Sequence, residues 1–82
     1  MSESNVLAEV GISLVSHRTR LGLDIELAAT LAHLDPERLA EAEAGEIALD
    51  ERDLAGLADA YGVDVTAFFG GRTTPLSYLA GA

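Results

Sequence analysis

Four aspartates divide this chain into short segments in which apolar residues recur at intervals of three and four. Asp24, Asp35, Asp50 and Asp64 each precede such a segment, and an aspartate at the N-cap accepts a hydrogen bond from the free N–H groups of a helix's first turn. Intervals of three and four place side chains on one face of a helix, whereas a half-buried strand requires alternation. The pattern therefore predicts an all-α fold of short helices.

The same signals predict five helices, which span about residues 7–21, 24–32, 35–44, 50–61 and 64–69. In helix one the apolar face consists of Leu7, Val10, Leu14, His17 and Leu21. Pro36 takes the first position of helix three, where a proline loses no hydrogen bond, and Gly45 ends that helix. In a chain of 82 residues, helices of this length form one small domain.

The C-terminal stretch differs from the rest of the chain. Gly70 and Gly71 interrupt the helical pattern, and every residue from Thr73 onward is uncharged. Thr74 and Pro75 are suited to begin a helix, but so short a helix is not stable alone. We therefore predict a helical domain at residues 1–69 and an apolar tail at residues 70–82, which either is disordered or forms a sixth short helix docked on an apolar surface.

Composition argues against several other classes of protein. The chain has no cysteine, which removes disulfides and thiolate metal sites. His17 and His33 are far apart and lack companions at metal-ligand spacing, so we expect no metal. There is no glycine-rich phosphate loop, so neither a cofactor nor an enzyme is expected. No apolar run is long enough to span a membrane and no basic leader is present, which predicts a cytoplasmic protein.

Several motifs occur in the order of a known fold. Ala29 lies in helix two, residues 34–36 read Leu-Asp-Pro at the turn into helix three, and residues 43–45 read Glu-Ala-Gly after it. Residues 54–69, LAGLADAYGVDVTAFF, form the longest motif. Together, residues 11–69 resemble the Cro/repressor-type, XRE-like helix-turn-helix family. The resemblance implies a five-helix bundle whose third helix reads DNA, and hence a role in transcription regulation.

Helix three departs from that family in its charge. Between residues 35 and 46 the only basic residue is Arg38, and the carboxylates are Asp35, Glu37, Glu41, Glu43 and Glu46. A helix in a DNA groove lies among phosphates and depends on Lys and Arg for affinity. The whole chain carries a net charge of −9. These charges favour a regulator that acts by protein–protein interaction, as an antiactivator or antirepressor does, over one that binds DNA.

A protein partner would need both charge and apolar contact. The acidic residues Glu37 and Glu41 would steer the partner, which we expect to be another transcription regulator or its basic surface. Ile47 and Leu49 lie in the loop after helix three, where polar residues are normal, so they are predicted to supply apolar contacts. The predicted partner surface therefore combines helix three with this loop.

Helix two can adopt either of two registers. The ungapped match to the family turns Ala28, Ala29 and Ala32 inward and leaves Leu27 and Leu31 facing solvent. Burying a leucine contributes about 1.5–3 kcal/mol, so packing energy favours a rotated helix in which both leucines are buried. Without rotation, the two leucines would form an exposed ridge that extends the partner surface.

The alternative function is a homodimeric DNA-binding transcriptional repressor or an antitoxin. In that interpretation the phosphate contacts come from Arg18, Arg20, Arg38 and Arg52. DNA binding at low salt distinguishes the two functions. Even weak electrostatic binding to a DNA duplex strengthens at low salt, so a DNA-binding repressor should bind under that condition.

Overall fold

The chain folds into four α-helices followed by one 3-10 helix. The structure, a computed structural model, describes residues 6–71 and Tyr78. In chain order the elements are α1 (Val6–Arg20), α2 (Ile25–Ala32), α3 (Pro36–Glu43), α4 (Glu51–Tyr61) and the 3-10 helix (Val65–Phe69). These residues contain no strand, so the predicted all-α class is confirmed. Four of the five predicted helices are α-helices, and the fifth is a 3-10 helix instead.

The aspartate caps form as the sequence predicts. Asp24 and Asp50 each accept a hydrogen bond at 2.8 Å from the backbone N–H three residues onward. Asp35 and Asp64 accept from the N–H two residues onward, at 2.8 and 2.9 Å. Each cap satisfies a donor that the helix itself leaves unpaired. The positions at which these four elements begin are therefore fixed by local chemistry.

A single apolar core joins the helices. α1 packs on α3 and on the 3-10 helix, while α2 packs on both α3 and α4. The buried apolar residues are Val10, Leu14, Ala28, Ala29, Ala32, Leu34, Leu39, Ala42, Leu49, Leu54, Leu57, Ala58, Tyr61, Phe68, Phe69 and Tyr78. Leu21, predicted on the apolar face of helix one, instead lies just beyond the end of α1 and is 50% exposed.

Two glycines bring helices into close contact. A Cβ atom at Gly11 would lie 2.8 Å from the carbonyl oxygen of Ala42, and one at Gly56 would lie 2.7 Å from that of Ala32. Real Cβ atoms do not approach carbonyl oxygens so closely. α1 can therefore approach α3, and α4 can approach α2, only because these two positions carry no side chain.

Tyr78 connects the C-terminal tail to the core. Its side chain is fully buried, and its ring centroid lies 5.4 Å from that of Phe69 in an edge-on arrangement. The Tyr78 hydroxyl accepts a hydrogen bond from the Leu49 N–H at 2.9 Å. Burial raises the pKa of the Tyr78 hydroxyl, partly offset by that hydrogen bond. The predicted sixth helix otherwise lies outside the described residues.

Candidate nucleic-acid interface

The turn between α2 and α3 depends on His33. This residue adopts a left-handed conformation with φ 58° and ψ 47°, and it is the only described residue other than glycine with positive φ. The His33 N–H donates to the Thr30 carbonyl at 3.2 Å, and the Leu34 N–H donates to the Ala29 carbonyl at 2.8 Å. These bonds end α2 and reverse the chain, and Leu34 is buried immediately afterwards. Together, α2, the turn and α3 form a helix-turn-helix unit.

α3 turns an apolar side inward and a small, acidic side outward. Leu39 and Ala42 are buried. The exposed residues on α3 and at its C-cap are Pro36, Glu37, Arg38, Ala40, Glu41 and Ala44. The predicted site residues Glu37 and Glu41 therefore lie on the accessible face of α3. Because alanine side chains are short, the backbone of α3 can approach a partner closely along this face.

Glu43 is tied to Arg18 inside the fold. The Arg18 Nε donates to Glu43 Oε2 at 2.7 Å, and Nη2 donates to Oε1 at 3.0 Å. The third nitrogen, Nη1, donates to the Leu23 carbonyl at 2.9 Å. The two side chains are only 14% and 7% exposed, and the hydrogen bonds to Glu43 raise the pKa of Arg18. This placement contradicts the predicted phosphate contact of Arg18, because its guanidinium is engaged internally.

The other predicted DNA contacts are accessible. Arg38 Nη2 donates to Asp53 Oδ2 at 2.8 Å, and the Arg38 side chain is 45% exposed. An exposed pair of this kind contributes only about 0–1 kcal/mol, so Arg38 can exchange Asp53 for another anion. Arg20 and Arg52 are exposed, and neither forms an ion pair within the described residues.

The structure corrects the predicted rotation of helix two. Leu27 is 48% exposed and Leu31 is 49% exposed. The buried residues of α2 are Ala28, Ala29 and Ala32. The physical reason is the close approach between α2 and α4, where Gly56 meets the carbonyl of Ala32. Alanines permit this approach, whereas leucines facing α4 would hold the two helices apart.

In the loop after α3, Leu49 does not lie where its predicted role requires. Leu49 is 1% exposed and belongs to the core, where its N–H is bound by Tyr78. Its predicted role as an exposed partner contact is therefore wrong, because the side chain is buried in the apolar core. Ile47 is partly buried and packs against the same core. Part of the Ile47 side chain stays accessible, so its predicted partner contact remains a prediction.

Tyr61 places an unpaired hydroxyl near the Arg18 and Glu43 pair. Its ring packs edge-on against Phe68, with centroids 6.2 Å apart. The Tyr61 hydroxyl is the only buried side-chain polar atom without a hydrogen-bond partner among the described residues. Burial, reinforced by the charge of Glu43, raises the pKa of Tyr61 to about 12. The hydroxyl therefore stays neutral at physiological pH.

Other kinds of site have little support in the described part of the chain. A cleft of about 300 Å³ lies between α1 and the 3-10 helix, and Val10 and Phe68 are among the residues that line it. Over residues 6–71 and Tyr78, no group of three or more acidic or histidine side chains is arranged to hold a metal ion. No helix in this same part is both long enough and apolar enough to cross a membrane.

Two contacts of this region were not identified from the sequence. Glu43 follows the buried Leu39 by four residues, so its helical position places it toward the inner side of α3. That spacing was a signal that Glu43 would need a buried cation. For Tyr78 no local signal exists, since its hydrogen-bond partner Leu49 is 29 residues away.

The fold and its helix-turn-helix unit define a class of protein. A family model described as a helix-turn-helix domain matches residues 9–68, and the chain belongs to this family. The structure is similar to the restriction-modification controller protein C.AhdI from Aeromonas hydrophila, with 28% identity and a TM-score of 0.75, covering 77% of this chain and 96% of that one.

A second similar structure is the clp gene regulator ClgR from C. glutamicum. It is 25% identical with a TM-score of 0.75, and the match covers 84% of this chain and 90% of that one. No curated protein matches the chain. The chain therefore has a transcription-regulatory helix-turn-helix fold of the XRE-like type, as its sequence resemblance implies.

Proposed function

We propose that this protein is a homodimeric, DNA-binding transcription regulator whose helix α3 enters the major groove. The observation that carries the proposal is the complete α2–turn–α3 unit in a fold shared with a restriction-modification controller and a gene regulator. A small helix-turn-helix protein controls genes most directly by contacting DNA. The comparisons thus favour DNA binding over a function through protein contacts alone, for which they provide no support.

The acidity of helix three opposes DNA binding less than its composition suggests. Glu43 is neutralised by Arg18 within the fold, and Asp35 is engaged in capping α3. Glu37 and Glu41 remain on the outer face. A glutamate in the major groove accepts a hydrogen bond from the cytosine amino group. We assign base recognition to these two residues, with Ala40 permitting close approach.

In this proposal, the three accessible arginines of the helical region bind the DNA phosphates. Arg20 and Arg52 are exposed, and Arg38 is held only by an exposed ion pair. Three cations in each subunit give weak binding, so two subunits acting together are required for useful affinity. With about six neutralised phosphates in a dimer, the slope of log affinity against log salt concentration is about −5.

The experiment is selection of duplexes from a random library by the full-length protein at low salt, followed by affinity measurements over a salt series. We expect enrichment of a two-fold symmetric sequence. Removing the charge in Arg52→Gln should weaken binding to all duplexes and reduce the magnitude of the salt slope by about one for each lost contact. If no duplex binds even at about 50 mM salt, DNA binding is not the function.

A matched pair of variants tests base recognition separately from charge. Glu41→Gln and Asp59→Asn each remove one exposed carboxylate, but only Glu41 lies on α3. We expect Glu41→Gln to change the selected bases and Asp59→Asn to leave them unchanged. Identical selected sequences for both variants and the wild-type protein would exclude Glu41 from base recognition.

A further inference from the structure

α2 carries an apolar ridge that stays half exposed in the described part of the chain. Leu27 and Leu31 are four residues apart, so they lie on one face of the helix, and each is about half exposed at 48% and 49%. Removing a leucine side chain from water is favourable. An adjacent pair on a helix of eight residues is therefore an available contact surface.

Negative charge is concentrated in the same helix-turn-helix unit. Residues 24–46 contain seven carboxylates and one arginine, so this segment holds most of the excess negative charge of the chain. Glu26 on α2 and Glu37 and Glu41 on α3 are all exposed, and the two helices pack against each other. A partner for the ridge must therefore be apolar on one side and positively charged beside it.

We infer that the ridge formed by Leu27 and Leu31 is a docking site for a basic amphipathic helix of another protein. The apolar stripe of that helix lies on the two leucines, and its lysine or arginine residues face the exposed carboxylates of the helix-turn-helix unit. This binding mode is that of an amphipathic helix held on an apolar surface.

Charge distinguishes this occupant from two others. A second copy of the chain brings the same net charge of −9, and a symmetric contact would place one acidic surface against another. A DNA duplex has no apolar stripe that could cover the two leucines. A basic amphipathic helix satisfies both the leucines and the carboxylates. This inference concerns a partner beyond DNA and does not require the proposed DNA-binding function.

The test uses synthetic peptides and contains no DNA. One peptide arranges leucine and lysine at helical spacing, and a second has the same composition in scrambled order, so that only the first presents an apolar stripe. Binding of each labelled peptide to the full-length protein is measured by fluorescence anisotropy. We expect the patterned peptide to bind at least about tenfold more tightly than the scrambled one.

Protein variants locate the site. Leu27→Gln with Leu31→Gln should weaken binding of the patterned peptide by about tenfold or more, while Ile12→Gln should not, although Ile12 is 69% exposed on α1. Glutamine is a good helix former, and circular dichroism checks that helicity is kept. Glu37→Gln with Glu41→Gln should also weaken binding, whereas the control pair Glu9→Gln with Asp59→Asn should have a smaller effect.

Three results would overturn the inference. Equal binding of both peptides would show that charge alone attracts them. Unchanged affinity in the double leucine variant would place the contact elsewhere. If the double leucine variant instead converts a dimer to a monomer in sedimentation without changing peptide affinity, a second copy of the chain covers the ridge.

Discussion

Arg18 and Glu43 form a two-point ion pair that fastens the C-terminal end of α3 to α1. The two hydrogen bonds measure 2.7 and 3.0 Å, and the third arginine nitrogen holds the Leu23 carbonyl in the loop before α2. The Arg18 side chain therefore links three parts of the fold, namely its own helix α1, α3 and the loop before α2. Because both charges are largely removed from solvent, the position of α3 depends on their remaining together.

We expect Arg18→Met to destabilise the fold by about 3–5 kcal/mol, because it leaves the Glu43 carboxylate without its partner in a dry environment. Adding Glu43→Leu should recover most of this loss, since an apolar pair of similar volume replaces a buried ion pair at little cost. Urea unfolding of the single and double variants measures both effects. Arg20→Met, at an exposed site, should stay within about 0.5 kcal/mol, and an equally small effect of Arg18→Met would contradict the prediction.

Gly11→Ala tests the contact between α1 and α3. Alanine normally stabilises a helix interior by about 0.5–1 kcal/mol relative to glycine, but here its Cβ would collide with the carbonyls of Ala42 and Glu43. We expect a net loss of about 1–3 kcal/mol, as overpacked sites show, together with shifted amide resonances along α3. The control, Ser16→Ala on the same helix, is exposed and should not be destabilising.

The register of α2 is tested by substitutions at neighbouring positions. Leu31→Ala should change stability by no more than about 0.5 kcal/mol because the side chain is half exposed. Ala32→Asp should cost about 3 kcal/mol or more, since it buries an unpaired charge against α4. Thr30→Asp, exposed on the same helix, provides the control and should be tolerated. A large loss of stability in Leu31→Ala together with a small loss in Ala32→Asp would instead support the rotated register of α2.

The sequence predicts those features that depend on neighbouring residues. Asp24 and Asp50 cap their helices because the acceptor and the free N–H groups are three residues apart, so the helix starts could be identified locally. The same reasoning wrongly placed Leu31 in the core. It considered the free energy gained by burying a leucine but not the close packing of α4 against α2. That approach depends on Gly56, which is distant in sequence and whose packing role has no local signature.

The candidate site was predictable to a similar extent. Glu37 and Glu41 were correctly assigned to an accessible face, since the helical period fixes their direction once Leu39 is placed inside. Arg18 and Leu49 were misassigned, because whether a charged or apolar side chain is free depends on distant partners. Glu43 removes Arg18 from the surface, and Tyr78 holds Leu49 in the core.

Tyr78→Phe tests the connection between the tail and the loop after α3. The variant keeps the ring against Phe69 but leaves the buried Leu49 N–H without its acceptor, which should cost about 1–3 kcal/mol. Hydrogen exchange at the Leu49 amide should become faster than at other core amides. Leu49→Ala should cost about 2–5 kcal/mol, whereas Ile47→Ala, which is only partly buried, should cost less. Unchanged exchange at Leu49 in Tyr78→Phe would contradict this contact.

Stability should decline at alkaline pH through the buried tyrosines. Burial raises the pKa of Tyr61 to about 12 and also raises that of Tyr78, whereas tyrosine in an unfolded chain titrates near about 10. The folded state therefore holds these protons more tightly than the unfolded state. Their contribution to stability is complete below about pH 10 and is lost as the pH rises toward about 12.

Tyr61→Phe isolates one of these two groups. Over the window from about pH 10 to about pH 12, the free energy of unfolding should fall less steeply in this variant than in the wild-type protein, by up to about 1.4 kcal/mol per pH unit. Urea unfolding at successive pH values measures the slope, and tyrosinate absorbance reports ionisation directly. Tyr78→Phe should retain the part of the slope that belongs to Tyr61. In Tyr78→Phe, where Tyr61 is the only tyrosine left, tyrosinate that forms near about pH 10 while helicity is intact would show that the Tyr61 hydroxyl is not held in a dry site.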